Sequence, residues 1–237
     1  MILFFHPDLT ADQVQLSLEE SKHCVKAFRM RAGDELFLTN GKGMLAEARL
    51  LVADIHECVV TIMNRKRIPS RSLQLHIAIA PTKNADRMEW FVEKAVEIGI
   101  EKITFIICQH SERFKIDLAR MQRIAVAALK QSQTTILPEL NVCSFEDFLE
   151  QQKDTPDVKY IAWCDDNNTK QLCDESIPDD RILVLIGPEG DFSASEIERC
   201  RQMGCKEIKL GNRRLRTETA ALYTCCIIAA KEMLKTN

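Results

Sequence analysis

Apolar and polar positions keep two different rhythms along this 237-residue chain. Up to about residue 70 the apolar runs are short and bounded by turns. Residues 34–39 (D-E-L-F-L-T) lead into Asn40-Gly41-Lys42-Gly43, and 44–52 lead out again, which is the pattern of a β-hairpin. Residues 1–7 and 58–63 (C-V-V-T-I-M) read as further strands, and one short helix around 19–27 interrupts them. Short strands joined by tight turns predict a small barrel or curled sheet. The stretch 64–72 (N-R-K-R-I-P-S-R-S) is polar, basic and broken by proline, so it reads as a linker between a domain at 1–70 and another at 73–237.

From Leu73 onward strands alternate with helices. Residues 73–80 (L-Q-L-H-I-A-I-A) form a strand pattern, and 84–98 form an amphipathic helix with Met88, Phe91, Val92 and Ala95 on one side. Gly99 suits the C-cap. Further strands are expected at 102–108 and near 158–163, 181–186 and 206–210. Helices are expected at 117–131 and near 144–152, 193–203 and 217–234. Such alternation predicts an α/β domain with a parallel sheet covered on both faces, whose ligands bind beyond the carboxyl ends of the strands.

Two strands end at that edge in glycine. The apolar run 181–186 stops at Gly187-Pro188-Glu189-Gly190, and Ser193-Ala194-Ser195-Glu196 then has the form of a capping box. Neither G-x-G-x-x-G nor G-x-x-x-x-G-K-[ST] is present, so the dinucleotide and P-loop fingerprints are missing. Glycines three apart around a proline expose backbone N–H and C=O groups, which suit an adenine or ribose edge better than a triphosphate. The second loop, L-G-N-R-R-L-R-T-E-T-A at 210–220, sets three arginines before a Thr-initiated helix, a favourable place for an anion.

Composition adds little to this. The chain is 46% hydrophobic and 28% charged, an ordinary globular balance, with no apolar stretch long enough to cross a bilayer. Ten cysteines include no C-x-x-C pair and no ligand cluster, so no metal is expected and most thiols read as small core residues, Cys225 and Cys226 among them. With no basic leader at the start, the cytoplasm is the expected compartment. Net charge is −3, but residues 1–72 hold 10 Lys and Arg against 9 Asp and Glu, a local excess of one, and five basic residues against one acid fall in 206–216.

Taken together, I-G-P-E-G-D-F (186–192) and L-G-N-R-R-L-R-T-E-T-A resemble the ribosomal RNA small subunit methyltransferase E family, within the SPOUT class of RNA methyltransferases. The resemblance extends to K-N-A-D-R-M-E-W-F-V-E-K-A-V-E-I-G (83–99), H-S-E-R-F-K (110–115), A-L-K-Q-S (128–132) and H-C-V-K-A-F-R-M-R-A-G-D-E-L (23–36), in order and spacing. It implies a PUA-like RNA-binding β-barrel followed by a SPOUT domain with a deep trefoil knot, the knot and cofactor site falling roughly in 181–234. It also implies a homodimer through the C-terminal domain, S-adenosylmethionine as cofactor, and methylation of N3 of one uridine in 16S ribosomal RNA of the small subunit. Two positions depart from the family pattern: Asp191 stands where glycine is usual, and Arg214 where an aliphatic residue is common.

The site residues follow from the resemblance. Leu185, Gly187, Pro188, Glu189 and Gly190 from the first loop, with Leu210, Gly211, Leu215, Thr217, Thr219 and Ala220 from the second, would hold the cofactor. Arg216, helped by Arg214 or Arg213, would stabilise the uridine anion. Glu218 is a candidate proton acceptor and also an ordinary first-turn helix acid. Arg29, Arg31, Arg65, Lys66, Arg67, Lys83, Arg87, Arg113 and Arg123 would contact RNA. Three rival readings remain at this stage: a non-catalytic RNA-binding adaptor, a nucleotide-dependent oxidoreductase, and a related methyltransferase acting on transfer RNA or large-subunit RNA.

Overall fold

The structure is a computed structural model that describes residues 1–164, 169–177 and 181–235. It divides into two compact units, Met1–Ser70 with Val126–Leu137, and Arg71–Ala125 with Pro138–Asn237.

The first unit is a curled five-stranded sheet in the order β1-β3-β4-β5-β2. Its strands are β1 (Leu3–Phe5), β2 (Gln13–Gln15), β3 (Glu35–Thr39), β4 (Met44–Val52) and β5 (Val59–Arg67). Only β1 and β3 run parallel; the other pairs are antiparallel. Register shifts between Glu47 and Ala48 and between Leu50 and Val52 mark irregularities in β4 that bend the sheet. Phe4, Leu16, Leu36, Leu38, Leu50 and Val60 fill its interior. The expected hairpin turn is present, with Asn40 Oδ1 accepting from the Lys42 and Met44 amides. Gly41 and Gly43 hold φ of 70° and 84°, where a side chain is strained.

Two features differ from the sequence reading. Asn64–Arg67 belong to β5 rather than to a linker, because β4 is long enough to pair with them as far as Arg67. Residues 126–137 belong to the first unit, although they fall inside the predicted second domain. Leu137 N–H donates to Gly41 O (2.8 Å), Gly43 N–H donates to Thr135 O (2.9 Å), and Lys130 meets Glu20 at 2.6 Å, with both side chains largely buried. The turn glycines are therefore also the docking point for this distant segment, and a Cβ on Gly41 would lie 2.8 Å from Leu137 Cβ.

The second unit is a six-stranded, fully parallel sheet in the order β11-β9-β10-β6-β7-β8. Its strands are β6 (Gln74–Ile79), β7 (Lys102–Ile107), β8 (Glu139–Ser144), β9 (Val158–Ala162), β10 (Arg181–Ile186) and β11 (Lys206–Ile208). Helices in chain order are α1 (Leu18–Lys22, in the first unit), α2 (Ala85–Ile98), α3 (Leu118–Ser132), α4 (Phe145–Gln152), α5 (Ala194–Gln202) and α6 (Thr217–Lys235). A π-helical turn, His23–Ala27, follows α1. Caps behave as the sequence suggests: Asn84 Oδ1 accepts from Asp86 N–H, Gly99 (φ 108°) ends α2, and Ser193 with Glu196 forms both bonds of a capping box. Arg71 ties the chain entry to the sheet through Glu101, Glu232 of α6 and the Gly99 carbonyl.

At the amino edge of the sheet His76 is buried, with Nε2 2.8 Å from Thr104 Oγ1. Burial, with Lys102 nearby, pushes its pKa down to about 3. In the unfolded chain the imidazole takes its proton near pH 6.5. Between about 6.5 and 3 the unfolded state therefore binds more protons, and stability falls as pH falls. A denaturant titration series should show a loss of a few kcal/mol across that window. His76→Gln should flatten the series; an unchanged slope would show that His76 does not drive it.

Candidate active site

β10 lies in the interior of the sheet, and everything from Ile182 to Pro188 is buried. Its chain leaves at the carboxyl edge through Gly187, where a side chain would be crowded: a Cβ would sit 3.0 Å from the Phe192 ring. Four other carboxyl-edge segments grip this loop. Lys83 N–H donates to Glu189 Oε1 (3.1 Å) after β6, and His110 Nδ1–H donates to the Asp191 carbonyl (3.0 Å) after β7. Cys164 N–H donates to Asp191 Oδ2 (3.0 Å) after β9, and Thr217 Oγ1–H at the start of α6 donates to the Gly187 carbonyl (3.1 Å). The last bond joins the two glycine-ended loops directly.

Asp191 has φ 62°, a conformation glycine takes freely and aspartate tolerates better than most residues. Its carboxylate also binds the Phe192 amide at 2.8 Å, so the departure from glycine brings two hydrogen bonds that glycine cannot make. The neighbouring Cys164 thiol is pushed up by burial and by the Asp191 carboxylate, against the opposing pull of Arg214. It stays protonated near neutral pH and is not a nucleophile.

The second loop begins at Leu210, half-buried, and Gly211 with φ 101°. Gln171, which the sequence reading passed over, accepts from Gly211 N–H (2.9 Å) and donates to Asn212 Oδ1 (3.3 Å). Arg213, Arg214 and Arg216 are exposed around half-buried Leu215, and Thr217 and Glu218 are buried at the start of α6 with Thr219 exposed and Ala220 half-buried. Glu218 Oε1 lies 3.6 Å from Arg87 Nε on α2, while Glu218 Oε2 is buried with no hydrogen-bond partner.

Other expected RNA contacts divide by what the structure does with them. Arg87 is half-buried against Glu218. Lys83 is exposed and meets Glu112 at 3.0 Å, and the Arg113 guanidinium donates to the Lys83 and Lys115 carbonyls. Arg123 is exposed on α3. In the first unit Arg29 (φ 54°), Arg31, Lys66 and Arg67 are exposed. Arg65 is different: its guanidinium holds the Leu9, Thr10 and Ala11 carbonyls and Asp12, so it braces the loop before β2. Cys225 is buried in α6 as expected, but Cys226 faces outward.

A family model for the RNA methyltransferase domain matches residues 69–229, and one for the RNA methyltransferase PUA domain matches 17–63. The ribosomal RNA small subunit methyltransferase E of Mesomycoplasma hyopneumoniae is 35% identical over 167 residues, 67% of this chain and 70% of its own. The chain belongs to the ribosomal RNA small subunit methyltransferase E family. A solved structure described as a probable rRNA-methyltransferase from Porphyromonas gingivalis superimposes with TM-score 0.90 at 38% identity, covering 99% of this chain and 100% of that one. A methyltransferase from Legionella pneumophila, in complex with S-adenosylmethionine, matches with TM-score 0.86 at 27% identity over 97% of each chain.

The two Asp191 bonds give a separable test of this loop. Asp191→Ala keeps the positive φ strained and removes both carboxylate bonds, so it should lower stability by about 2–3 kcal/mol. Asp191→Gly relieves the strain while losing the same bonds and should cost clearly less. Denaturation midpoints of the two variants check this; equal losses would mean that φ has no part in it.

Proposed function

We propose that this chain transfers a methyl group from S-adenosylmethionine to N3 of a uridine in 16S ribosomal RNA of the small subunit, in the cytoplasm. The observation that carries the reading is the Thr217–Gly187 bond, which holds the glycine loop after β10 against the arginine-bearing start of α6. Relatives that hold the cofactor support it. The residues here suit such a group: a Cβ on Gly187 or Gly190 would crowd Phe192 (3.0 Å) or His110 (3.2 Å), so glycine there leaves the backbone open to a ligand. Leu185, Gly187, Pro188, Glu189 and Gly190 would grip the cofactor from one side, and Leu210, Gly211, Leu215, Thr217, Thr219 and Ala220 from the other. The cofactor supplies an electrophilic methyl group when bound.

Uridine N3 carries a proton and is a poor nucleophile until that proton leaves. Arg216 stabilises the negative charge that develops on the base oxygens, with Arg213 or Arg214 beside it. Glu218 Oε2, buried and unpartnered at the first turn of α6, is the proposed proton acceptor, with Arg87 Nε 3.6 Å from Oε1. N3 lies on the Watson–Crick edge, so the target must be unpaired or flipped out. The trefoil knot that the SPOUT resemblance implies, with the cofactor site roughly in 181–234, is part of this proposal. The first unit is proposed as the PUA-like RNA-binding domain and the second as the SPOUT domain.

Calorimetry should show binding of S-adenosylmethionine, and NAD binding in its place would overturn the reading. Arg216→Ala should lower single-turnover methylation of small subunits by about a hundredfold or more, with cofactor affinity nearly unchanged. A normal rate at saturating subunit would remove Arg216 from the chemistry.

We also propose a homodimer through α6. Tyr223, Cys226, Ala230 and Met233 are exposed at helical spacing, an apolar stripe on a helix whose other side is already packed. Sedimentation velocity at micromolar concentration should give a dimer, and Tyr223→Glu should shift it toward monomer. A monomeric wild-type protein would count against the dimer.

A further inference from the structure

Phe114 is the most exposed aromatic side chain among the described residues, at 65%. It sits in the irregular segment between β7 and α3, with Arg113 before it and Lys115 after it. A single exposed hydrophobic residue is common on protein surfaces and by itself says nothing. This one differs in how its loop is held. The Arg113 guanidinium donates to the Lys115 carbonyl (3.0 Å) and to the Lys83 carbonyl (3.0 Å), so it clamps the chain on both sides of Phe114 to the loop after β6. Lys83 N–H in turn donates to Glu189 of the glycine loop. The ring therefore stands on a braced support, joined through two hydrogen-bonded steps to the loop that ends β10.

We infer that Phe114 is a stacking platform for an unpaired nucleobase of the substrate RNA, one that neighbours the base to be methylated. Charge selects the occupant: Arg113 and Lys115 flank Phe114 in the chain, the Arg113 guanidinium holds the Lys83 carbonyl, and an aromatic residue among basic neighbours matches a base on a phosphate backbone. Distance selects which base. β7 lies two places from β10 in the sheet, with β6 between them, which is roughly 10 Å at ordinary strand spacing. Phe114 stands on the loop after β7, beside the glycine loop and linked to it through Lys83, which suits a nucleotide next to the target. A flipped target also leaves its neighbour without a stacking partner, and an exposed ring replaces that partner. This inference rests on the proposed reaction and adds a residue that fixes which strand geometry the enzyme accepts.

The test uses the full chain, S-adenosylmethionine with a labelled methyl group, and small ribosomal subunits from cells that lack this methylation. Phe114→Ala should raise KM for the subunit roughly 5- to 150-fold, the range for one lost base stack, while calorimetric affinity for S-adenosylmethionine stays as in wild type. Phe114→Leu, which keeps apolar bulk without a flat π face, should lose nearly as much, and Phe114→Trp should restore the wild-type KM. The slope of log KM against log salt should be the same for Phe114→Ala as for wild type, because no phosphate contact is removed. A wild-type KM for Phe114→Ala overturns the inference, as does full activity of Phe114→Leu, which would make the contact merely apolar. A changed sedimentation coefficient for Phe114→Ala would assign the ring to a contact between copies of the chain, and that too overturns it. Absence of any methyl transfer by the wild-type protein would instead overturn the proposed reaction itself.

Discussion

The second unit depends on β10 being hydrogen-bonded along both edges. It pairs with β6 through all six of its residues and with β9 through five, and its side chains from Ile182 onward are buried. Such a strand offers the chain no lateral exit. It must leave at the carboxyl end, where the backbone of Gly187 to Asp191 comes free of sheet partners among four other segments that end at the same edge. The Thr217 hydroxyl, the Cys164 and Lys83 amides and the His110 ring then fix that free stretch from different directions. A stretch of backbone held from several sides is the result, and it follows from strand order more than from any one side chain.

The elements that a single stretch of sequence can specify were legible. The parallel α/β alternation, the hairpin at Asn40–Gly43, the Gly99 cap and the Ser193–Glu196 box each depend on a few adjacent residues, and the structure has all of them. Two strands escaped because they carry little pattern. β2 buries one residue of three, and β8 is an edge strand of mostly half-buried residues. The basic stretch 64–67 looked like a linker because its side chains are solvated, yet its backbone completes the pairing of β4.

The glycine loops could be found because strand, glycine and helix start follow one another in the chain. What could not be found were bonds between residues far apart in sequence. Arg65 reads as a loose cation until its guanidinium is seen to hold the Leu9 to Ala11 carbonyls. Arg87 gives no sign in the sequence that Glu218 lies beside it, 131 positions further along. Gln171 carries no signal at all, being one amide in a polar stretch, yet it orders the turn at Gly211.

The assignment of residues 126–137 to the first unit bears on how the protein is made. A ribosome releases the amino-terminal residues first, and a self-contained domain would fold as soon as they emerge. Here the turn at Gly41 and Gly43 has its amide and carbonyl partners at Thr135 and Leu137, and Glu20 has its cation at Lys130. The sheet has all five of its strands in the first seventy residues and can form early, but its unit stays unfinished until nearly twice that length has been synthesised. By then β6, α2 and β7 of the second unit have already left the exit tunnel, so the two units are obliged to mature together.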